Sequence, residues 1–234
     1  MTPPTRVRRS AMYRRHEALR ATFRDVADWQ VAEVYTSAAE ELAAAERGAG
    51  LTDVSAGGKL AVRGEALEAV VAKIAGIVPP APRQAVHGRV DVAEILVCRL
   101  APDEVLVTTA PAGETVVHAA LAAACESAGC AHVTDLTSAF AAVDLIGPRV
   151  PALLARLVAV ELTARAAPPL SVTLADVAGV HGIIVRLEHR HPAFRLLVGR
   201  EQGEFVWDTL LETGHDLGLV PVGAHAHRRL LADA

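Results

Sequence analysis

Apolar residues fall in short blocks whose spacing switches between alternation and a helical period. Ser37 followed three residues later by Glu40 is a capping-box pattern, and it opens a helix over Thr36–Gly48 that Gly48 and Gly50 stop. A shorter helix precedes it over Tyr13–Leu19. Leu51–Ser55 and Lys59–Arg63 read as strands, the second setting Leu60 and Val62 against Lys59 and Arg63. A helix over Glu65–Ala75 ends at Gly76, and a proline-rich link follows over Val78–Pro82. Asp91–Leu100 and Val105–Ala110 are expected as strands about a turn at Ala101–Glu104. The alanine-rich helix Glu114–Ser127 closes at Gly129. Val133–Ile146 returns as one strand, and Pro148 opens a helix over Arg149–Leu157. Beyond Pro168 and Pro169 come strands Gly182–Glu188 and Phe194–Val198, helix Glu204–Thr213 with Gly214 past its end, strand Leu219–Val222 and a short helical tail. Strand pairs separated by single helices predict an α+β fold with mainly antiparallel sheets.

The pattern also repeats. Thr52-Asp53-Val54-Ser55, a strand, Gly64 and a helix return as Thr134-Asp135-Leu136-Thr137, a strand, Gly147 and a helix, 82 residues later (134 − 52). Two copies do not make a solenoid. They predict two related halves, about 50–76 and 132–157, packed face to face inside one domain spanning 12–234, after a basic tail over 1–11.

Composition narrows the function. The chain has 234 residues, 52% of them hydrophobic, and such a length buries roughly 70% of its unfolded surface without staples. Its net charge of −4 argues against nucleic acid as a partner. Mean hydropathy is positive at +0.30, yet no apolar run approaches the ~18 residues of a membrane helix. Three cysteines, Cys98, Cys125 and Cys130, form no CxxC pair, so a reducing cytoplasm is expected, with Cys125 and Cys130, which flank a helix end, as small buried free thiols. The arginine-rich, acid-poor start has the character of a transit peptide, but serine is scarce, and a charged terminus is the preferred reading.

Residue patterns alone assemble no active site. Ala56-Gly57-Gly58-Lys59 lacks the spacer and the Ser/Thr of a phosphate loop, and reads as a tight hairpin. His189 and His191 share a strand face, a spacing that can serve a metal, but only Glu188 is near enough to add a ligand. A structural or surface role is expected for them and for His225 and His227, and no metal site is expected. Asp53 and Asp135, each beside a hydroxyl residue at a strand end, fit turn capping better than ligand binding.

Longer segments carry a resemblance. Tyr13-Arg14-Arg15-His16-Glu17-Ala18-Leu19, Asp25-Val26-Ala27-Asp28-Trp29, Val34-Tyr35 and Ala49–Gly64 resemble, in order and spacing, the N-terminal region of the glycine-cleavage T-protein (aminomethyltransferase) family. Trp207-Asp208-Thr209-Leu210-Leu211-Glu212 and Gly218-Leu219-Val220-Pro221-Val222-Gly223 resemble its later W-x-A-L-L and G-L-x-P-C-G motifs. The resemblance implies a tetrahydrofolate-binding domain without the C-terminal barrel that usually follows.

The departures fall on the chemistry. The family's D-V-S-H-M-G reads Asp53-Val54-Ser55-Ala56-Gly57-Gly58. At its paired acids stand Ala93 and Glu94, with Asp91 two positions away. Its folate loop aligns with 189–195, putting His191 and Arg195 where glutamates are usual, and its G-A-R aligns with His225-Ala226-His227. A pterin's amino-pyrimidine edge presents N–H donors that a carboxylate accepts and a cation cannot. The resemblance therefore implies an accessory domain held to a larger subunit, such as a flavin-dependent amine oxidase or a separate T-protein-like C-terminal part, in one-carbon or N-methyl amine metabolism. In size it is similar to the gamma subunit of heterotetrameric sarcosine oxidase. The alternatives are an active tetrahydrofolate-dependent transferase with Glu94 or Asp91 as acid and Asp53 and Tyr35 helping to hold the ligand, and a repurposed module binding a pterin or an anion through His189, His191 and Arg195.

Overall fold

The computed structural model describes residues 7–232, so most of the basic tail lies outside the described residues. The chain opens with β1 (Arg8–Arg9), α1 (Tyr13–Ala18), the hairpin β2 (Thr22–Val26) and β3 (Trp29–Val34), and α2 (Ala38–Arg47). Strands β4 (Ala49–Asp53) and β5 (Lys59–Gly64) lead into α3 (Leu67–Ala75). A meander of β6 (Ala85–Val90), β7 (Ala93–Ala101) and β8 (Glu104–Thr109) leads into α4 (Glu114–Ala128). Next come β9 (Ala131–Asp135), β10 (Phe140–Ile146) and α5 (Val150–Leu157). A second meander of β11 (Val172–Val177), β12 (Val180–Arg186) and β13 (Ala193–Gly199) precedes α6 (Gly203–Gly214), β14 (Leu219–Pro221) and α7 (Ala224–Ala232).

The strands form a six-stranded sheet ordered β11-β12-β13-β10-β4-β14, a five-stranded sheet ordered β6-β7-β8-β5-β9, and a small sheet β1-β3-β2. All pairings are antiparallel except β14 with β4 and β1 with β3. The expected α+β, mainly antiparallel class is what the chain adopts. Alternation along each strand sorts side chains to two faces. Val143, Leu145, Phe194 and Leu196 turn one face of the six-stranded sheet to Leu153 and Leu154 of α5 and Trp207 of α6. Val97, Val105 and Val107 turn one face of the five-stranded sheet to Val70 of α3 and Leu121 of α4. The remaining faces meet between the sheets, where Leu96, Cys98 and Leu106 oppose Ile183, Val185 and Leu197.

Helix α2 starts as its sequence predicts: Ser37 Oγ accepts from Glu40 N at 3.2 Å. Several expectations are corrected. Ala56–Gly58 is not a hairpin, since β4 and β5 lie in different sheets. It carries the chain across, and a Cβ on Gly57 would sit 2.7 Å from the Thr109 carbonyl oxygen, which is why glycine stands there. Val133–Ile146 is likewise two strands in different sheets, parted at 136–139. These two crossings mirror each other. Asp53 Oδ1 accepts from Ser55 N at 2.9 Å, and Asp135 Oδ1 accepts from Thr137 N at 2.8 Å. Ser55 Oγ then receives Ala142 N of β10, and Thr137 Oγ1 receives Lys59 N of β5. The proline in the first turn of α5 is Pro151 rather than Pro148, and Gly214 ends α6 from within. Residues 187–192 are a loop, so His189 and His191 share no strand face. His189 Nδ1 accepts from His191 N at 3.0 Å while its Nε2 donates to the Leu230 carbonyl at 2.9 Å, which fastens that loop to α7. Cys125 is buried as expected, but Cys130 is exposed; Cys98 is buried too.

Candidate functional site

Between the sheets the apolar packing gives way, at one end, to polar inward positions, and a cavity of about 420 Å³ opens there. Its walls come from β4, β10 and β13 on one side and β5, β7 and β8 on the other. Val26 and Val31 of the β2–β3 hairpin and Leu231 of α7 close it. This is the size of a small-molecule site.

On the six-stranded side, strand register places Asp144 of β10 directly opposite Arg195 of β13. Arg195 donates through Nε to Oδ1 at 2.8 Å and through Nη2 to Oδ2 at 2.9 Å, while His227 of α7 donates through Nε2 to Oδ2 at 3.0 Å. Burial pushes the Asp144 carboxyl up. The charge and hydrogen bonds of Arg195, with His227, overcome that and hold it well below the ordinary carboxylate range. Burial pulls Arg195 down, and Asp144 more than restores it. Arg195 and His227 reach the cavity; Asp144, fully buried, stands behind them.

A second network reaches the same cavity through Asp53. His16 hydrogen-bonds Asp53 Oδ2 through Nε2 at 2.9 Å and Tyr35 Oη through Nδ1 at 2.8 Å. Trp207 packs edge-on to His16 with ring centroids 4.8 Å apart. Burial raises the Asp53 carboxyl, but hydrogen bonds and charge from His16, with Ser10 and Ser55, bring it below its ordinary value. Burial raises the Tyr35 hydroxyl strongly, and Asp53 and Glu41 add to this, so it is a donor at any physiological pH.

Lys59 lies 2% exposed on the five-stranded side, with Nζ donating to the carbonyls of Ser55 at 2.8 Å and Gly57 at 2.7 Å. Burial lowers it from 10.5 to about 8, with Asp53 acting upward and Arg195 downward. On the facing strand, the Thr108 hydroxyl is buried in the cavity wall with no hydrogen-bond partner. Arg24 and Arg228 flank the mouth, both bound to Glu33, at 3.2 and 2.7 Å.

The residues expected from sequence divide. Asp53, Arg195 and Glu94 line the cavity. Tyr35 does not; it acts on Asp53 through His16. His191 lies outside it, in the loop before β13. Asp91 is corrected: β6 and β7 join through the two residues after Val90, and Asp91 occupies the turn with φ +54°, exposed and away from the cavity. No register shift brings it in, because it is not on a strand. Sequence reasoning missed Asp144, His16, Thr108 and His227 as site residues. The available signal was Asp144 and Arg195, each a single charge inside an apolar strand, AAVDLI and FRLLV. Among the described residues no group of three His, Cys, Asp or Glu side chains could hold a metal.

Comparison with known proteins places this geometry. Residues 12–234 match the family model of the GCVT N-terminal domain. An aminomethyltransferase of Streptomyces coelicolor is 32% identical over 243 residues, covering 98% of this chain and 63% of that protein. One from Saccharopolyspora erythraea is 29% identical and is covered over 64% of its length. The chain thus spans less than two thirds of these relatives. Among solved structures, glycine cleavage system aminomethyltransferase T from Bartonella henselae superposes with a TM-score of 0.82 at 18% identity, over 96% of this chain and 62% of that one. A chain of the heterotetrameric sarcosine oxidase from Corynebacterium sp. U-96 superposes with a TM-score of 0.62 at 22% identity, over 79% of this chain and 94% of that one. No helix among the described residues is long and apolar enough to cross a membrane.

Proposed function

Because the chain belongs to the GCVT N-terminal domain family, we propose that it is a ligand-holding accessory domain of that family, working with a larger subunit in one-carbon or N-methyl amine metabolism rather than transferring a one-carbon group itself. A cytoplasmic location goes with that role. The observation that carries the reading is the buried wall around Arg195, where both buried acids are already bound. Asp144 is spent on Arg195 and His227, and Asp53 on His16 and Ser55. Where a pterin's amino-pyrimidine edge needs acceptors, the buried wall offers the donors of Arg195, and each N–H left facing a donor costs about 1–3 kcal/mol. That buried wall therefore does not fit tetrahydrofolate bound by its pterin edge. The accessory role draws on the sarcosine oxidase chain of the Corynebacterium heterotetramer, which this chain matches over nearly that chain's whole length.

One observation favours a transferase as the second reading. Glu94 lines the cavity and makes no hydrogen bond or ion pair with another described residue, so an acid is free there. Calorimetric titration with tetrahydrofolate, on wild type and Glu94→Ala, separates the two. No detectable binding, together with co-purification of a larger subunit, is expected. Micromolar binding that weakens in Glu94→Ala would overturn the accessory reading.

A further inference from the structure

We propose that the cavity binds a small molecule with an apolar body ending in a carboxylate or phosphate, and that this anionic group is held by the free edge of Arg195. The inference rests on the cavity being a ligand site, as proposed above, and names the chemistry of what enters it.

Arg195 is the first argument. A guanidinium has five N–H donors, four of them in two parallel pairs. Asp144 takes the side-on edge, through Nε and Nη2, and fixes the plane of the group. The end-on edge, formed by Nη1 and the second Nη2 hydrogen, has no partner among the described residues. The side chain keeps 20% exposure and lines the cavity, and with its side-on edge taken by Asp144 the end-on edge is the polar part left to meet a ligand. Two parallel N–H groups in a fixed plane match a carboxylate or phosphate bidentately, and none of their ordering remains to be done at binding.

The opposite wall supplies the second argument. Thr108 is 4% exposed and its Oγ1 has no partner, an exception to the rule that buried polar groups are bonded. Its neighbours across the ladder, Leu96 and Lys59, also line the cavity, so the hydroxyl lies in the same wall. A polar atom of a ligand spanning from Arg195 to β8 would complete it.

Charge and shape select the rest. Of the cations lining the cavity, Arg24 and Arg228 pair with Glu33 and Lys59 points Nζ at the Ser55 and Gly57 carbonyls, while Asp53 serves His16 and Ser55, so the end-on edge of Arg195 is the charged donor left for a ligand on the buried wall. The other lining is mostly apolar, with Val26, Val31, Leu96 and Leu197 among it. An apolar body with one anionic end suits such a site, whereas a group presenting N–H donors to Arg195 would leave both sides unpaired.

The test uses matched pairs of small aromatic probes with the full chain: benzoate against benzamide, and phenyl phosphate against benzyl alcohol. Binding is followed by nitrogen-15 NMR of the Arg195 side-chain Nε–H and the backbone amides. The anions are expected to shift Arg195 and Thr108 and to bind at least about tenfold tighter than their neutral partners. Whichever anion is the stronger says whether carboxylate or phosphate is preferred. The double variant Asp144→Asn with Arg195→Gln removes the anchor without stranding a buried charge, and it should abolish the preference. Should it fail to fold, the anion-to-neutral ratio in wild type still decides, and Thr108→Val is expected to weaken 4-hydroxybenzoate, which carries a second polar atom, several-fold while leaving benzoate unchanged. Equal binding of charged and neutral probes, no shift in any cavity residue, or undiminished preference in a folded double variant would each overturn the proposal. Failure of the accessory reading shows instead as tetrahydrofolate binding that depends on Glu94, with the Arg195 preference read separately.

Discussion

Asp144→Asn is the most direct probe of the buried network. The native carboxylate is fully buried and accepts three hydrogen bonds, two from Arg195 and one from His227. The amide that replaces it keeps one acceptor oxygen and turns an NH₂ group toward donors, while the buried Arg195 loses its counter-charge. Breaking one side of such a pair costs about 3–5 kcal/mol. That is a large part of the 5–15 kcal/mol typical of a folded domain. Urea denaturation at pH 7 should lower the midpoint by roughly 1–3 M with little change in slope. The pH dependence adds a stricter check. The folded Asp144 carboxyl titrates below its unfolded value of about 3.9, so its stabilisation is fully present above that pH and is lost as pH falls through the folded pKa. The gap between wild type and variant should be flat from pH 5 to 8 and shrink below about pH 4. A gap under about 1 kcal/mol at pH 7, or one that stays constant down to pH 3, would refute the account of this network.

Other consequences can be measured alongside. Lys59 is held at about 8 against an ordinary 10.5, so the unfolded chain binds the extra proton between those values and wild-type stability should rise with pH across that window, relative to Lys59→Met, by about 3 kcal/mol in all; parallel curves in urea titrations from pH 7.5 to 10.5 would sink this. Tyr35→Phe removes the hydroxyl bonded to His16 Nδ1, and thermal melts should show a loss of about 1–3 kcal/mol. Gly147 has φ +145°, and a Cβ there would sit 2.5 Å from the Gly48 carbonyl oxygen, so Gly147→Ala should cost about 3 kcal/mol or more. Gly129→Ala, at φ +82° with nothing within 4 Å, should cost about 1–2 kcal/mol in the same assay, and equal losses would remove the steric argument.

Much of the fold is legible because local chemistry and tertiary structure agree. Ser37 and Glu40 mark where α2 begins, and Gly76 and Gly129 take left-handed conformations where α3 and α4 end. Strands were missed where the signal is absent. The β2–β3 hairpin turns through Ala27 with φ +53°, a position where Gly or Asn would have announced a turn. β6 carries His87, Gly88 and Arg89, and β11 reads VTLADV, neither with a clean alternation. The run Val133–Ile146 looks continuous because both pieces are apolar, and only tertiary pairing assigns them to different sheets. The site is less legible than the fold. Arg195 and Asp144 lie 51 residues apart and meet only through the β10–β13 register, which no local pattern encodes.

The mirrored crossings at Ser55 and Thr137 have a consequence for how the chain comes apart. β4 pairs with β10 and β5 with β9, so each repeated segment gives one strand to each large sheet. Cutting anywhere between Gly76 and Ala131 leaves both pieces with strand edges whose partners are on the other piece. Neither piece buries a finished sheet, and each alone presents the open edges that drive aggregation. Recombination of the two pieces, produced together, would restore both ladders at once.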